Sequence, residues 1–247
     1  MTDFTSRLFV EHVKGLFDSA VLTRLAGRLS ALECEPDVST GKSEREAKAI
    51  ARGEASDALR MQSDWYDVWR TPPSYGALLD AIGPFTWVTF PVQVRHIRAV
   101  GQEVPWHQDA GYTKLQPAER RHRRLITCFI PIEPEPWRHT TVQFSFHNRT
   151  CPEVELEHYS LAGFGAGLSG GEYTDVEHYA LSLGDALLFG DLALHRTFTP
   201  PGAVVERRSL EFRLVAPQDA VPGKDYFDIR TQSFVTHDGA IKENTYV

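Results

Sequence analysis

GPFTWVTFPVQVRHIRAV, residues 83–100, is where the chain changes its texture. The Gly83-Pro84 break is followed by β-branched and aromatic residues from Thr86 to Phe90, then by a second such run from Gln93 to Val100. These residue types fit a pleated, half-buried surface, and the turn residues around them mark short strands. Six further runs of the same kind follow: Leu125–Ile132, Thr141–Phe146, Glu153–Tyr159, Tyr173–His178, Ala186–Phe189 and Ser209–Val215. Eight short strands after a helical start predict a mainly β protein, a double-sheet jelly roll with N-terminal helices packed on one outer face.

The preceding part, 1–82, reads as helical. Leu16, Phe17, Ala20, Val21, Leu25 and Leu29 recur at helical spacing within Leu8–Leu32, with Asp18 and Ser19 as cap signals. A second helix is predicted over Glu44–Arg70, halted by Thr71-Pro72-Pro73. Its Trp65 and Trp69 share one face and are assigned to core packing. From Pro217 to Val247 the chain is polar and loosely patterned, which predicts a tail that wraps the barrel or contacts a partner. The expected organisation is one domain over 1–247: a helical part at 1–82, a jelly-roll core at 83–216 and a tail at 217–247.

The 247 residues suffice for one substantial core, and 42% hydrophobic with 24% charged residues excludes a disordered chain. A net charge of −7 argues against nucleic acid as a partner, because phosphate contacts need a basic surface. It suits a protein that handles small molecules. No window reaches the run of roughly 18 apolar residues that a membrane helix needs, and MTDFTSRLFVEHVKG lacks the pattern of a signal peptide. Cys34, Cys128 and Cys151 cannot all pair and are too far apart for a zinc knuckle, so a reducing, cytoplasmic location is expected. The glycine-rich stretch 162–171 lacks the Lys-Ser/Thr ending of a phosphate loop.

Chemistry concentrates in Trp106-His107-Gln108-Asp109. A His and an Asp two apart on an extended segment project to the same side and can reach one ion. A third ligand is offered by His195, just past the buried run Gly184–Gly190. His-x-Asp followed much later by His is the donor set of the two-histidine, one-carboxylate facial triad, which holds iron(II) and leaves one side open for oxygen and a co-substrate. Twelve to fourteen residues beyond His195 stands Arg207-Arg208-Ser209. A guanidinium fork beside a hydroxyl is a receptor for a carboxylate, such as the distal one of 2-oxoglutarate. Ser209 and Arg207 share a face of an extended strand; Arg208 is in phase with Leu210, Phe212 and Leu214. Glu119–Arg124 is a basic run in an acidic chain, either a solvated loop or a field that gathers an anionic or carrier-bound substrate.

WHQDAGY, GDALLFGDLALH and ERRSLEFR together resemble the phytanoyl-CoA dioxygenase family of iron(II)/2-oxoglutarate oxygenases over about residues 85–215. The resemblance implies a double-stranded β-helix (cupin-like) core, with His107, Asp109 and His195 as iron ligands, Arg207 on 2-oxoglutarate and Ser209 assisting. His96 or Gln93, before the HxD, and Thr127, after it, match places that contact the co-substrate. The implied cofactors are Fe(II), 2-oxoglutarate and O2, and the implied reaction hydroxylates an unactivated carbon of a small molecule with release of succinate and CO2. Asp109 favours hydroxylation, since family members that halogenate lack this carboxylate. The chain departs from the family at Arg138–Asn148, where only His147 stands near the expected substrate-binding stretch. Two alternatives keep the fold: a cupin-like hydrolase or isomerase using another metal, and a non-catalytic binding protein.

Overall fold

A computed structural model describes residues 4, 6–34, 60–100, 102–114, 119, 121–146 and 173–242. Two antiparallel sheets make up most of it. The larger runs in the order β1 (Val10–Val13), β7 (Ala186–Gly190), β4 (Ile126–Pro131), β9 (Arg207–Val215), β2 (Trp87–Thr89), β10 (Asp225–Asp228), β11 (Ser233–Thr236), with β3 (Gln93–Ile97) also paired to β9. The smaller holds β6 (Val176–His178), β5 (Thr141–Ser145) and β8 (Leu194–Phe198). The mainly β architecture is as the sequence predicts.

Strand β9 shows why two layers form on the large sheet. Its even positions Leu210, Phe212 and Leu214 are fully buried in the same cluster as Leu22, Leu25 and Leu29 of α1 (Ser19–Cys34), Trp69 of α2 (Asp67–Arg70), and Leu78 and Ile82 of α3 (Tyr75–Ile82). Trp69 sets its ring edge against Phe17, 5.0 Å away, and Phe212, 5.3 Å away, so helices and sheet share one aromatic joint. The opposite face of the sheet is different. There Phe129, Leu187 and Phe189 meet Val142, Phe144 and Phe146 from the small sheet and its end, with Phe144 and Phe189 5.1 Å apart. On this second layer Phe144 and Phe189 set their rings against His195.

Three expectations are corrected. Residues 10–13 belong to a strand instead of the predicted helix: they pair with β7 at its edge, and the helix begins only at Ser19, where Asp18 Oδ1 accepts Ala20 N–H at 2.7 Å. Backbone pairing to a neighbouring strand overrides a weak helical pattern there. Of the predicted helix Glu44–Arg70, residues 44–59 lie outside the described residues, and the rest is broken by a 3₁₀ turn at Ser63–Tyr66 leading into α2, although Trp65 and Trp69 are both fully buried as expected. His195 follows the buried strand β7, as expected, and is itself the second residue of strand β8. The C-terminal part is not a loose tail: β10 and β11 form a hairpin that extends the large sheet through β2 and buries Tyr226, Phe227 and Val235. Alternation in Asp225–Asp228 and Ser233–Thr236 was too brief to read as strands beside so many polar residues.

The expected strand Glu153–Tyr159, the glycine-rich stretch 162–171 and His147 lie outside the described residues. Among the described residues no helix is long and apolar enough to cross a membrane. Cys128 is buried in β4, and burial raises its thiol pKa, so it stays protonated.

Candidate metal centre

The two sheets bring His107, Asp109 and His195 together from places far apart in the chain. Backbone pairing does this directly: His107 N–H donates to His195 C=O at 2.9 Å, and His195 N–H returns to His107 C=O at 3.0 Å. The imidazole centroids are consequently 4.1 Å apart. After His107 the chain leaves the extended form and turns into α4 (Asp109–Lys114), so the His-x-Asp is a strand-to-helix corner, not a continuous strand as the spacing suggests. The corner is pinned by Gln108 Nε2 donating to Leu192 C=O at 2.8 Å and Ala110 N–H to Asp191 C=O at 2.9 Å. Asp191 itself pairs with Arg7 from the N-terminal segment.

Ligand atoms of the three residues all lie within 4.8 Å of one another, and all three residues are buried. Each histidine holds a backbone carbonyl two residues earlier at Nδ1: Pro105 O at 2.8 Å for His107, Ala193 O at 2.9 Å for His195. A carbonyl only accepts, so Nδ1 carries the proton and the Nε2 lone pair is left for an ion. Burial lowers the pKa of both rings, the His195 imidazole further depresses His107, and both rings are neutral at neutral pH. Burial alone would raise Asp109, but Arg213 foremost, then the histidines and a hydrogen bond from Thr127, bring it below the ordinary carboxylate range. Two neutral imidazoles and an ionised carboxylate match the donor set for iron(II) with an open side.

The odd positions of β9 face this centre, a consequence of the two-residue period. Arg207 and Ser209 share that face as expected, with Arg207 side chain 2% exposed, donating from Nη1 to Thr141 C=O at 3.3 Å and stacking 5.0 Å over Phe129. Arg208, on the other face, pairs with Glu206 at 3.1 Å. Gln93 stands opposite Glu211 on β3, on the face of Arg207. His96 is corrected: it stands beside Arg208 on the far face and pairs with Glu206 at 2.9 Å, since one step along a strand reverses the side chain. Thr127 contacts the centre through a ligand, its Oγ1 donating to Asp109 Oδ2, and so orients the carboxylate.

Three residues near the centre were not singled out from sequence. Arg213 Nη2 donates to Asp109 Oδ1 at 3.0 Å, opposite Thr127 in the register. Glu211 Oε1 accepts from Arg95 Nε at 3.2 Å and lies 3.5 Å from Arg207 Nη2. The signal was present: in ERRSLEFRLV the charged or polar residues Arg207, Ser209, Glu211 and Arg213 alternate with Leu210, Phe212 and Leu214. Buried without a hydrogen-bond partner among the described residues are Arg207 Nε, Ser209 Oγ and Thr141 Oγ1. Such orphaned polar atoms are costly unless a ligand satisfies them. Burial, and then Arg95, pull Arg207 down to about 10 against the opposing pull of Glu211, leaving a charged guanidinium at neutral pH that favours an anion.

No protein-family model matches the sequence, and no curated protein matches it. Solved structures do. SnoN, an epimerase crystallised with Fe3+, alpha ketoglutarate and nogalamycin RO, is 16% identical over 98% of this chain and 91% of its own, with a TM-score of 0.56. The non-heme monooxygenase ThoJ, as a nickel complex, is 14% identical over 96% of this chain and 85% of its own, with a TM-score of 0.55. EvdO2 from Micromonospora carbonacea var. aurantiaca, complexed with 2-oxoglutarate, is 14% identical over 87% and 92%, with a TM-score of 0.52. At these identities the likeness is one of fold: this mainly β chain shares its architecture with non-heme, 2-oxoglutarate-binding proteins and carries a buried His-Asp-His cluster of its own.

Proposed function

We propose that the protein is a non-haem Fe(II)/2-oxoglutarate-dependent dioxygenase on a double-stranded β-helix, of the phytanoyl-CoA dioxygenase-like kind. The reaction proposed is hydroxylation of an unactivated carbon of a small metabolite or natural-product intermediate. The observation that carries this is the convergence of His107, Asp109 and His195 with both Nδ1 atoms tied to carbonyls, 4.1 Å between the rings. The shared fold with proteins crystallised with iron and alpha ketoglutarate supports it.

In this reading the three residues hold the metal, and Thr127 and Arg213 keep Asp109 ionised and aimed at it. Arg207 takes the distal carboxylate of 2-oxoglutarate, with Ser209 and Thr141 hydroxyls beside it. Iron(II) with 2-oxoglutarate would supply oxygen activation when bound; the chain supplies the ligands, the anchor and an apolar surround in which the Phe144 and Phe189 rings pack against His195. Because Asp109 retains the carboxylate ligand, the proposed outcome is hydroxylation with succinate and CO2 released. The proposed substrate is an anionic or carrier-bound small molecule, gathered by exposed Arg121 and Arg123, with no nucleic acid or membrane partner and a cytoplasmic setting.

The test is anaerobic addition of iron(II) and 2-oxoglutarate to the purified protein. A weak visible charge-transfer band, followed on aeration by succinate release and incorporation of oxygen into a screened metabolite, is the expected result. Protein that binds iron without forming the band or consuming 2-oxoglutarate would overturn the reading in favour of a metal-dependent hydrolase, isomerase or binding protein.

A further inference from the structure

The turn 190–193, between β7 and β8, is gripped from two sides. On one side it holds the corner that carries Asp109. Asp191 C=O accepts Ala110 N–H at 2.9 Å and Leu192 C=O accepts Gln108 Nε2 at 2.8 Å, so both neighbours of Asp109 are bonded to the turn. Ala193, the last residue of the turn, offers the carbonyl that holds His195 Nδ1 at 2.9 Å. One short turn therefore helps to set two of the three proposed ligands. On its other side lies the N-terminal segment. Leu192 N–H donates to Arg7 C=O and Gly190 N–H to Phe9 C=O, both at 3.0 Å. The approach is so close that a Cβ on Gly190 would stand 2.2 Å from the Arg7 carbonyl oxygen, which explains the glycine. Arg7 Nε donates to Asp191 Oδ1 at 2.8 Å and its Nη2 to Asp191 Oδ2, a two-pronged pair on a carboxylate side chain only 3% exposed. Next to it, Arg124 Nη2 donates to Ser6 C=O at 2.7 Å and ties the segment down again.

We infer that Arg7 is a positioning residue of the metal centre: through Asp191 it fixes the turn whose carbonyls aim Asp109 and His195. A backbone carbonyl places its partner only as firmly as its own peptide is held. Here the peptides of the turn are held from behind by Arg7 and Phe9. A guanidinium fork on a carboxylate fixes direction as well as distance, which a single-point contact does not. Removing the fork would leave a buried carboxylate without its bidentate partner, and the turn would shift to resolve that cost, taking the Asp191 and Leu192 carbonyls with it. The N-terminal segment, 60 and more residues outside the jelly-roll motifs in sequence, thereby becomes part of the metal centre.

This inference rests on the proposed metal site, and the experiment keeps the two apart. Manganese(II) binding is titrated anaerobically without 2-oxoglutarate, and the metal-free protein is melted in parallel. Wild-type protein that binds no manganese(II), or binds it no more tightly than His107→Ala does, sinks the metal site itself. With that control passed, Arg7→Gln is expected to weaken manganese(II) binding about tenfold to a hundredfold, the range for losing a group that stands behind a metal ligand. His12→Gln is the comparison for a merely structural role. It loosens the same N-terminal segment at the far end of β7, where His12 Nε2 lies 2.8 Å from Asp185 Oδ2, and touches nothing in the turn. It should lower the melting temperature and leave manganese(II) affinity as in wild type, because well below melting nearly all the protein is folded and lost stability does not enter the binding constant. An Arg7→Gln protein that melts early but binds manganese(II) like wild type overturns the inference, and so does equal weakening in His12→Gln. If Arg7→Gln fails to fold, Arg7→Lys decides. It keeps the charge but not the fork, and should bind manganese(II) several times more weakly than wild type; unchanged affinity in Arg7→Lys overturns the inference as well.

Discussion

Acid should loosen the C-terminal hairpin through His122. This ring is 8% exposed, and its Nε2 lies 2.8 Å from the Tyr226 hydroxyl, which also accepts Val221 N–H at 2.8 Å. Burial, helped by Lys224, holds the His122 pKa at about 4. The unfolded chain has an imidazole of pKa about 6.5. A folded pKa below the unfolded one means that the unfolded state takes up the proton first as pH falls. The stabilisation is fully present above about pH 6.5, declines between 6.5 and 4, and is gone below the folded pKa. At about 1.4 kcal/mol per unit, the loss is roughly 3 kcal/mol between pH 7 and pH 4. Urea unfolding at half-unit pH steps, run in parallel on wild type and His122→Gln, isolates the contribution because all other groups cancel in the difference. Glutamine keeps a polar partner for Tyr226 and cannot titrate. The wild-type curve should converge on that of the variant by about 3 kcal/mol as pH drops; parallel curves across pH 4–6.5 would refute the reasoning.

Replacing His107, Asp109 or His195 singly by alanine should reduce bound iron to a minor fraction by metal analysis while the far-UV spectrum is retained, because each is one of the three proposed ligands. Arg207→Ala should weaken 2-oxoglutarate binding by about 2–5 kcal/mol, whereas Arg208→Ala, on the opposite face with Glu206, should change it little in the same titration. Equal effects from the two arginines would mean that the face of β9 bearing Arg207 is not the binding face. Trp69→Ala should cost about 3–5 kcal/mol in urea unfolding, since its fully buried ring joins Phe17 to Phe212 between helices and sheet.

Local pattern carried much of this protein. Strands β2, β3, β4, β5, β7 and β9 were legible because β-branched and aromatic residues cluster between turn residues, and a two-residue period survives burial on both faces. The same period put Arg207 with Ser209 and set Arg208 apart, even though the more apolar face of β9 looks like the natural inside. Helices covering that apolar face explain it: Leu210, Phe212 and Leu214 pack outward against Trp69 and α1, and the charged face looks inward. The metal ligands could be proposed from sequence because His107-x-Asp109 and His195 form a sparse donor pattern of specific chemistry.

Strand positions, parity along each strand and the chemical nature of the donors depend on neighbours along the chain, and these were readable from it. Tertiary structure alone decided what depends on pairing across it. The edge strand Val10–Val13 exists because β7 offers it hydrogen bonds, and the hairpin β10–β11 because β2 does. His96 fell on the wrong face because the phase of β3 against β9 is a property of the register and not of either strand. Arg95, Glu211 and Arg213 became legible as one charged layer beside the metal ligands only once β3, β4 and β9 lay side by side, since a buried ion pair between residues 116 positions apart leaves no local trace.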